Sequence, residues 1–125
     1  MTDAARAEDV VRGVYERLSA NDLLGLLNAC AADVEWRLGG RAAHGREGVA
    51  EWWMAADEER EVVACTPADV RASGGRVLAR GTLRGRVRAT GRFRSSEWVH
   101  EWVVRDGLVA SAREADDRSA QAERR

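Results

Sequence analysis

The residues best suited to chemistry are His100 and Glu114, which lie in two neighbouring segments of alternating apolar and polar residues. Residues 92–105 and 108–116 predict two antiparallel strands, joined by a turn at Asp106 and Gly107. Burial raises the pKa of a carboxyl group, and a nearby carboxylate raises the pKa of an imidazole, so two such groups on one apolar face are suited to proton transfer. The competing interpretation is a core histidine that bonds Glu114 and fixes the register of the hairpin.

Whether these two groups share a face depends on the turn. A three-residue turn over residues 105–107, with Gly107 in a left-handed bulge position, places Val104 opposite Leu108. His100 and Glu114 then share a face whose other members are apolar: Trp98, Trp102, Val104, Leu108, Ala110 and Ala112. A two-residue turn would place Glu114 opposite Val99 and separate the two groups. We therefore predict the three-residue turn.

Tryptophan is the main large residue of the predicted core, with five copies against one tyrosine and one phenylalanine. A buried indole N–H needs an acceptor, so rings that border a pocket can donate to a ligand oxygen or stack on a planar ring. The competing interpretation is that most of these rings only fill the core. The candidates for substrate binding are Tyr15, Trp36, Trp53, Trp98 and Trp102.

The elements that would hold these residues follow from periodicity. Apolar residues at spacings of three and four predict helices at residues 4–18, 23–31 and 45–56, and alternation predicts strands at 33–38, 62–72, 77–89, 92–105 and 108–116. This order indicates an α+β fold in which a curved antiparallel sheet and three N-terminal helices form a cone-shaped barrel with an internal pocket. We expect one domain over residues 1–125, ordered over residues 4–117, with a polar tail at 118–125.

Composition argues against several classes of protein. The chain of 125 residues has a net charge of -1, which offers little attraction to nucleic acid or to an anionic membrane. Because no secretory leader or membrane-spanning run is evident, we expect a cytoplasmic location. Two cysteines without metal-ligand spacing predict neither a zinc site nor a disulfide scaffold, and we expect no metal and no cofactor.

The order of the elements and five short motifs resemble the SnoaL-like and ketosteroid-isomerase-like branch of the nuclear transport factor 2 superfamily. The motifs are LSAND at residues 18–22, ADVEW at 32–36, HGREG at 44–48, HEWVVRDG at 100–107 and READD at 113–117. The resemblance covers nearly the whole chain and implies a cone of one curved sheet and three helices, with a homodimer formed through the outer sheet face. Polyketide cyclases, isomerases, dehydratases, epoxide hydrolases and non-catalytic binding modules share this fold.

The resemblance also bears on the candidate site. In the polyketide cyclases of this family, a histidine and an acid in the last two strands enolise the substrate, and His100 and Glu114 occupy similar positions. The acid of the family is typically Asp, so Glu114 is a departure, and Asp117 is the alternative site acid. The isomerase branch fits less well, because Arg37 stands near the position of its general-base Asp and an arginine is no base at neutral pH.

The sequence therefore supports two hypotheses from different classes. The first is a cofactor-independent enzyme of polyketide or other secondary metabolism, which transfers a proton on a small hydrophobic carbonyl substrate in a cyclisation, isomerisation or dehydration. The second is a non-catalytic ligand-binding or dimerisation module of the same fold. Neither nucleic acid nor a membrane is an expected partner.

Overall fold

The computed structural model describes residues 2–115 as three helices and six strands. The elements are α1 (Asp3–Ser19), α2 (Leu23–Asn28), β1 (Cys30–Leu38), β2 (Arg41–His44), α3 (Gly45–Glu59), β3 (Arg60–Ser73), β4 (Arg76–Val87), β5 (Phe93–Arg105) and β6 (Leu108–Glu114). The alternative acid Asp117 and the predicted tail at residues 118–125 lie outside the described residues. Among the described residues, no helix is long and apolar enough to cross a bilayer.

The first two helices meet at a corner that their capping residues define. The Thr2 hydroxyl accepts a hydrogen bond from the backbone N–H of Ala5, which caps α1, and the Asp22 carboxylate accepts one from Gly25 to cap α2. Between the helices, Asn21 adopts a left-handed conformation with φ 56°. One face of α1 is buried, and its buried residues recur at helical spacing: Val11, Val14, Tyr15 and Leu18.

The six strands form one sheet in the order β2-β1-β6-β5-β4-β3. The predicted α+β fold with three helices and a curved sheet is confirmed. The prediction of a purely antiparallel sheet in a barrel was wrong in two respects. The sheet is open, because β2 and β3 form its two edges, and it is mixed, because β1 and β6 pair in parallel. The long stretch of chain between these two strands includes α3, so β6 can return beside β1 in the same direction.

Gly81 on β4 allows β3 and the Trp98 ring to approach the backbone of β4 closely next to the site. A β-carbon at Gly81 would collide with the carbonyl oxygen of Thr66 and would lie 2.7 Å from the ring of Trp98 and 2.8 Å from Pro67 Cα. The register of β3 against β4 shifts at this point, between Pro67 and Asp69. The irregular strand and the indole therefore both approach the backbone of β4 more closely than any side chain would permit.

The hairpin of β5 and β6 has a different turn from the predicted one. Arg105 pairs with Leu108 across a two-residue turn, in which Asp106 and Gly107 both have positive φ (55° and 76°), so the three-residue turn was wrong. The register then shifts between Val103 and Val104, where Val104 pairs with Val109 and Val103 with Ser111. The extra residue, Ala110, forms a β-bulge that restores the parity. As a result His100 and Glu114 are direct partners on one face, as the sequence predicted by another route.

The strands β2 and β3 form the two edges of the sheet. The free edge of β3 is covered by side chains from α1 and from the corner between α1 and α2. The Ser19 hydroxyl accepts a hydrogen bond from the backbone N–H of Cys65 (2.8 Å) and donates one to its carbonyl oxygen (3.0 Å). The Glu8 carboxylate accepts from the N–H of Ala72 (2.8 Å), and the Asn21 amide donates to the carbonyl oxygen of Val62 (3.4 Å). These contacts satisfy part of the free edge of a 14-residue strand.

Candidate functional site

A cavity of about 250 Å³ lies between the concave face of the sheet, α3 and the corner of the first two helices. Its walls are mainly apolar and aromatic: Leu18, Leu38, Trp52, Trp53, Ala56, Val62, Cys65, Leu83 and Trp98. His100 and Glu114 line the same space, and further charged residues also border it: Arg41, Asp57, Glu59, Arg60 and Glu97. An apolar pocket with few polar groups is the usual form of a small-molecule site.

His100 and Glu114 face each other across the β5–β6 ladder, but no direct hydrogen bond joins them. The imidazole Nδ1 lies 2.8 Å from the hydroxyl oxygen of Tyr15, whereas Glu114 Oε1 accepts a hydrogen bond from the backbone N–H of Gly39 at 3.1 Å. His100 is buried, at 7% exposure, and Glu114 is exposed. The structure thus brings the two predicted groups to one cavity without making them an ion pair.

Burial dominates the electrostatics of His100. It lowers the pKa of the imidazole from its ordinary value to about 4, because a buried cation loses its hydration. A neighbouring carboxylate would raise the pKa of an imidazole, and the sequence predicted that direction for His100. That effect is absent because Glu114 is exposed and turned to Gly39, so His100 is neutral at physiological pH.

Aromatic rings pack against the imidazole of His100. The Trp98 ring stacks on that of His100 with centroids 4.4 Å apart and on that of Tyr15 at 4.5 Å, nearly parallel in both cases. Trp102 meets Tyr15 and His100 edge-on, at 5.5 Å and 6.0 Å. Trp98 therefore covers one face of the imidazole, and Tyr15 meets its Nδ1 edge.

The five aromatic residues predicted to bind substrate divide into two groups. Trp53 and Trp98 line the cavity. Tyr15, Trp36 and Trp102 are fully buried and do not line it. Tyr15 and Trp102 lie behind His100, and Trp36 packs between Trp52 and Trp102 in the core.

Two buried indole donors lack an acceptor among the described residues: Nε1 of Trp36 and Nε1 of Trp98. The Trp98 N–H is directed toward the thiol of Cys65, and sulfur is a weak acceptor. Burial raises the pKa of Cys65 to about 11, and the Trp98 N–H and Arg60 offset part of that effect. Cys65 is therefore a neutral thiol in the cavity wall.

Within residues 2–115, no group of three or more His, Cys, Asp and Glu side chains is arranged to hold a metal ion. The second histidine, His44, is exposed and lies 2.6 Å from Glu35 on the neighbouring strand. It does not line the cavity. The acid–base groups at the cavity are thus His100 and a few carboxylates, of which Glu114 is directly opposite the imidazole.

Comparison with known families identifies the family of this chain. The family described as the SnoaL-like domain matches residues 11–112. The chain belongs to the SnoaL-like domain family. A comparison of this SnoaL-like protein with curated proteins gives no match.

Solved structures share its fold over nearly the full length. An NTF2-like protein from Burkholderia xenovorans LB400 has 30% identity and a TM-score of 0.75, covering 98% of this chain and 97% of its own. A protein that carries the name polyketide cyclase, from Xanthomonas campestris pv. campestris, has 21% identity and a TM-score of 0.80, with 98% of both chains covered. A protein with a ketosteroid isomerase-like fold from Catenulispora acidiphila DSM 44928, crystallised with trimethylamine, has 17% identity and a TM-score of 0.78, with 86% and 85% covered.

Sequence reasoning missed part of the site of this SnoaL-like protein. Trp52 lines the cavity and donates from Nε1 to the carbonyl oxygen of Leu38 at 2.8 Å, which fixes the ring against β1. Cys65 also lines the cavity, and no role for it there was predicted from the sequence. The helical spacing of Val49, Trp52 and Ala56 on α3 was the available signal for Trp52. No local signal existed for Cys65, because its position depends on the pairing of β3 with β4.

Proposed function

We propose that this SnoaL-like protein binds a small hydrophobic carbonyl compound in the cavity and transfers a proton on it, in a cyclisation, an isomerisation or a dehydration. The single observation that carries the proposal is the placement of His100 and Glu114, which are direct partners across β5 and β6 and line the same aromatic-walled cavity. His100 is buried and neutral and Glu114 is exposed, so an imidazole and a carboxyl group can meet one ligand.

The size of the cavity limits the ligand. Drug-sized ligands occupy pockets of roughly 300–1,000 Å³, and an engineered apolar cavity of about 150 Å³ holds benzene. At about 250 Å³ the present cavity suits a molecule of one or two rings. The flat surfaces of Trp53 and Trp98 on its walls favour a planar ligand.

The proposed chemistry is enolisation. A proton leaves the carbon beside the carbonyl group, the C–H electron pair forms a carbon–carbon double bond, and the carbonyl π pair moves to oxygen. The two site groups supply a base for the carbon acid and a hydrogen bond for the oxygen. Return of the proton to another carbon completes an isomerisation, and attack of the enol on a second carbonyl group completes a cyclisation.

Exchange of the protons beside a carbonyl group for deuterium tests this proposal without knowledge of the natural substrate. We expect the protein to accelerate exchange of 1-indanone in D₂O, followed by proton NMR, and we expect His100→Asn and Glu114→Gln to abolish the acceleration. His44→Asn and Glu47→Gln are the matched controls, since both residues are exposed and lie outside the cavity, and they keep the wild-type rate.

The outcomes separate the two classes of function. Acceleration lost in both site variants and kept in both controls supports the enzyme. Saturable binding of 1-indanone without exchange of its protons would contradict the enzyme hypothesis and favour the non-catalytic ligand-binding module. Absence of both binding and exchange over a panel of one- and two-ring ketones overturns the proposal.

We also propose that two copies associate through the outer face of the sheet. On this face Glu101 is only 7% exposed and bonds both Arg113 (2.9 Å) and Arg76 (3.4 Å), and the apolar residues Val99 and Val103 are half-buried beside it. Light scattering after gel filtration tests this, with a dimer expected for the wild type and a monomer for Val99→Arg. Val63→Arg, at an exposed valine of the edge strand, is the control and leaves the dimer intact. A monomeric wild type at micromolar concentration overturns this assignment.

A further inference from the structure

Behind His100, two buried residues form a hydrogen-bonded chain that ends on the imidazole. Nε1 of Trp102 lies 2.8 Å from the hydroxyl oxygen of Tyr15, and that oxygen lies 2.8 Å from Nδ1 of His100. Tyr15 and Trp102 are fully buried. The chain crosses from β5 to α1 and back to β5, so the packing of the helix against the sheet holds its geometry.

The direction of the hydrogen bonds follows from the first donor. An indole nitrogen only donates, so Trp102 donates to the hydroxyl oxygen of Tyr15. The hydroxyl proton of Tyr15 then has one acceptor within reach in the described part of the chain, which is Nδ1 of His100. The reverse arrangement, with a proton on Nδ1, would leave the buried hydroxyl proton without an acceptor.

We propose that Tyr15 and Trp102 are positioning residues that hold His100 in its neutral tautomer with the proton on Nε2, so that His100 is the hydrogen-bond donor to the carbonyl oxygen and Glu114 is the base. Nδ1 is occupied by Tyr15, which leaves Nε2 to the cavity. This division of roles rests on the function proposed above. It agrees with the environments of the two groups, because burial keeps the imidazole neutral, whereas Glu114 is exposed to solvent beside the cavity.

The assignment of the proton to Nε2 of His100 narrows the class of ligand that the site can bind. A fixed N–H donor on an aromatic wall selects a ligand that places an acceptor oxygen there, and it disfavours a ligand that places an ammonium group there, because two donors would then face each other. The ligand class that the site favours is therefore a neutral one- or two-ring ketone or enone. Compounds of the same shape that lack the carbonyl oxygen test the point directly.

The tautomer is measurable without any ligand. In protein labelled with ¹⁵N at histidine, long-range proton–nitrogen correlations at pH 7.5 distinguish a protonated ring nitrogen from an unprotonated one. We expect His100 to show a protonated Nε2 and an unprotonated Nδ1. A protonated Nδ1 in the wild type overturns the proposal, and this result would leave the acid–base function itself standing.

Two variants test the positioning role. Tyr15→Phe removes the donor to Nδ1 and is expected to convert the single tautomer of His100 into a mixture. If Tyr15→Phe fails to fold, Trp102→Phe gives the second test, because the hydroxyl of Tyr15 is then free to accept from the imidazole. If a folded variant retains a pure Nε2–H tautomer, the hydrogen bonds from Trp102 to Tyr15 and from Tyr15 to His100 do not determine the tautomer, and the positioning role is overturned.

A matched series of bicyclic probes tests the ligand class. Tryptophan fluorescence titration is expected to show that 1-indanone binds about tenfold more tightly than indane, a difference of the size of one hydrogen bond, and that 1-aminoindane binds more weakly than indane. In His100→Asn the preference for 1-indanone over indane disappears. Equal affinity for 1-indanone and indane in the wild type, tighter binding of 1-aminoindane, or no binding of any probe overturns the ligand class.

Discussion

The hydroxyl of Tyr15 on the first helix lies 2.8 Å from Nδ1 of His100 on the fifth strand, across 85 positions of the chain. The contact couples the packing of α1 to the geometry of the site. Because Trp98 stacks on both rings, the two residues and the indole form one aromatic unit. A change that shifts α1 relative to the sheet therefore shifts the imidazole as well.

Tyr15→Phe is expected to lower the free energy of unfolding by about 2–4 kcal/mol. The change leaves the N–H of Trp102 and the Nδ1 of His100 buried without partners, and each such group costs about 1–3 kcal/mol. Urea unfolding at pH 7.5 measures the loss. Thr2→Ala is the comparison, since it removes one exposed capping bond and should cost about 1 kcal/mol. A loss below that of Thr2→Ala would contradict the buried network.

The stability of the protein should fall as His100 is forced to accept a proton. Its pKa is about 4 in the folded protein and about 6.5 in the unfolded chain, so between these values the unfolded chain binds more protons. The contribution to stability is fully present above pH 6.5 and is lost as the pH falls toward 4. We expect the wild type to lose about 2 kcal/mol more than His100→Asn between pH 7.5 and pH 5.

The exposed histidine supplies the control for that measurement. His44 is on the surface beside Glu35, so His44→Asn measures how much of the dependence of the unfolding free energy on pH comes from the other histidine. Urea unfolding at several pH values gives the slopes for the three proteins. If His100→Asn and the wild type have the same slope, the imidazole is not held neutral by burial.

Gly81→Ala should be strongly destabilising. The added methyl group meets the backbone of Thr66 and Pro67 as well as the ring of Trp98, and backbone atoms of a paired strand cannot move aside independently. We expect a loss of about 2–4 kcal/mol in the free energy of unfolding. Gly48→Ala in α3 is the matched change, because its β-carbon would meet Ala43 at an ordinary 3.5 Å, and it should stabilise by about 0.5–1 kcal/mol. Equal effects of the two changes would refute the close approach at Gly81.

The thiols should resist alkylation in the folded protein. Burial raises the pKa of Cys30 and of Cys65 to about 11, so at pH 8 about one thiol in a thousand is the reactive thiolate. Iodoacetamide labelling followed by mass spectrometry should show slow modification that accelerates in denaturant. Cys65 should react before Cys30, because it lines the cavity. Complete labelling of the native protein at the rate of free cysteine would be inconsistent with both thiols being buried.

In the β5–β6 hairpin, the sequence predicted which face the residues occupy but not the register of the two strands. Alternation in residues 98–104 and the polarity of the opposite strand were enough to place His100 and Glu114 on one face. The predicted turn was wrong. The bulge at Ala110 compensated for that error by returning His100 and Glu114 to the same face, and no local sequence pattern indicated the bulge. A bulge depends on the packing of the whole sheet, so the face was predictable from polarity while the register was not.

The interior of the site was less accessible to sequence reasoning. Tyr15 was named with four tryptophans as a candidate for substrate binding. Its hydroxyl instead serves a histidine on a distant strand, and that contact requires the docking angle of α1 on the sheet. Likewise, the direction of the pKa change at His100 depended on where the Glu114 carboxylate turned, which the register alone does not determine.

The covering of β3 by Glu8, Ser19 and Asn21 bears on association between molecules as well as on the fold. An uncovered strand of 14 residues at the edge of a sheet would offer its unpaired N–H and C=O groups to the same strand of another molecule. A displaced first helix would therefore expose a template for fibre growth. The N-terminal helix thus bonds backbone groups that could otherwise pair with another molecule, and the same helix carries Tyr15, whose hydroxyl contacts His100.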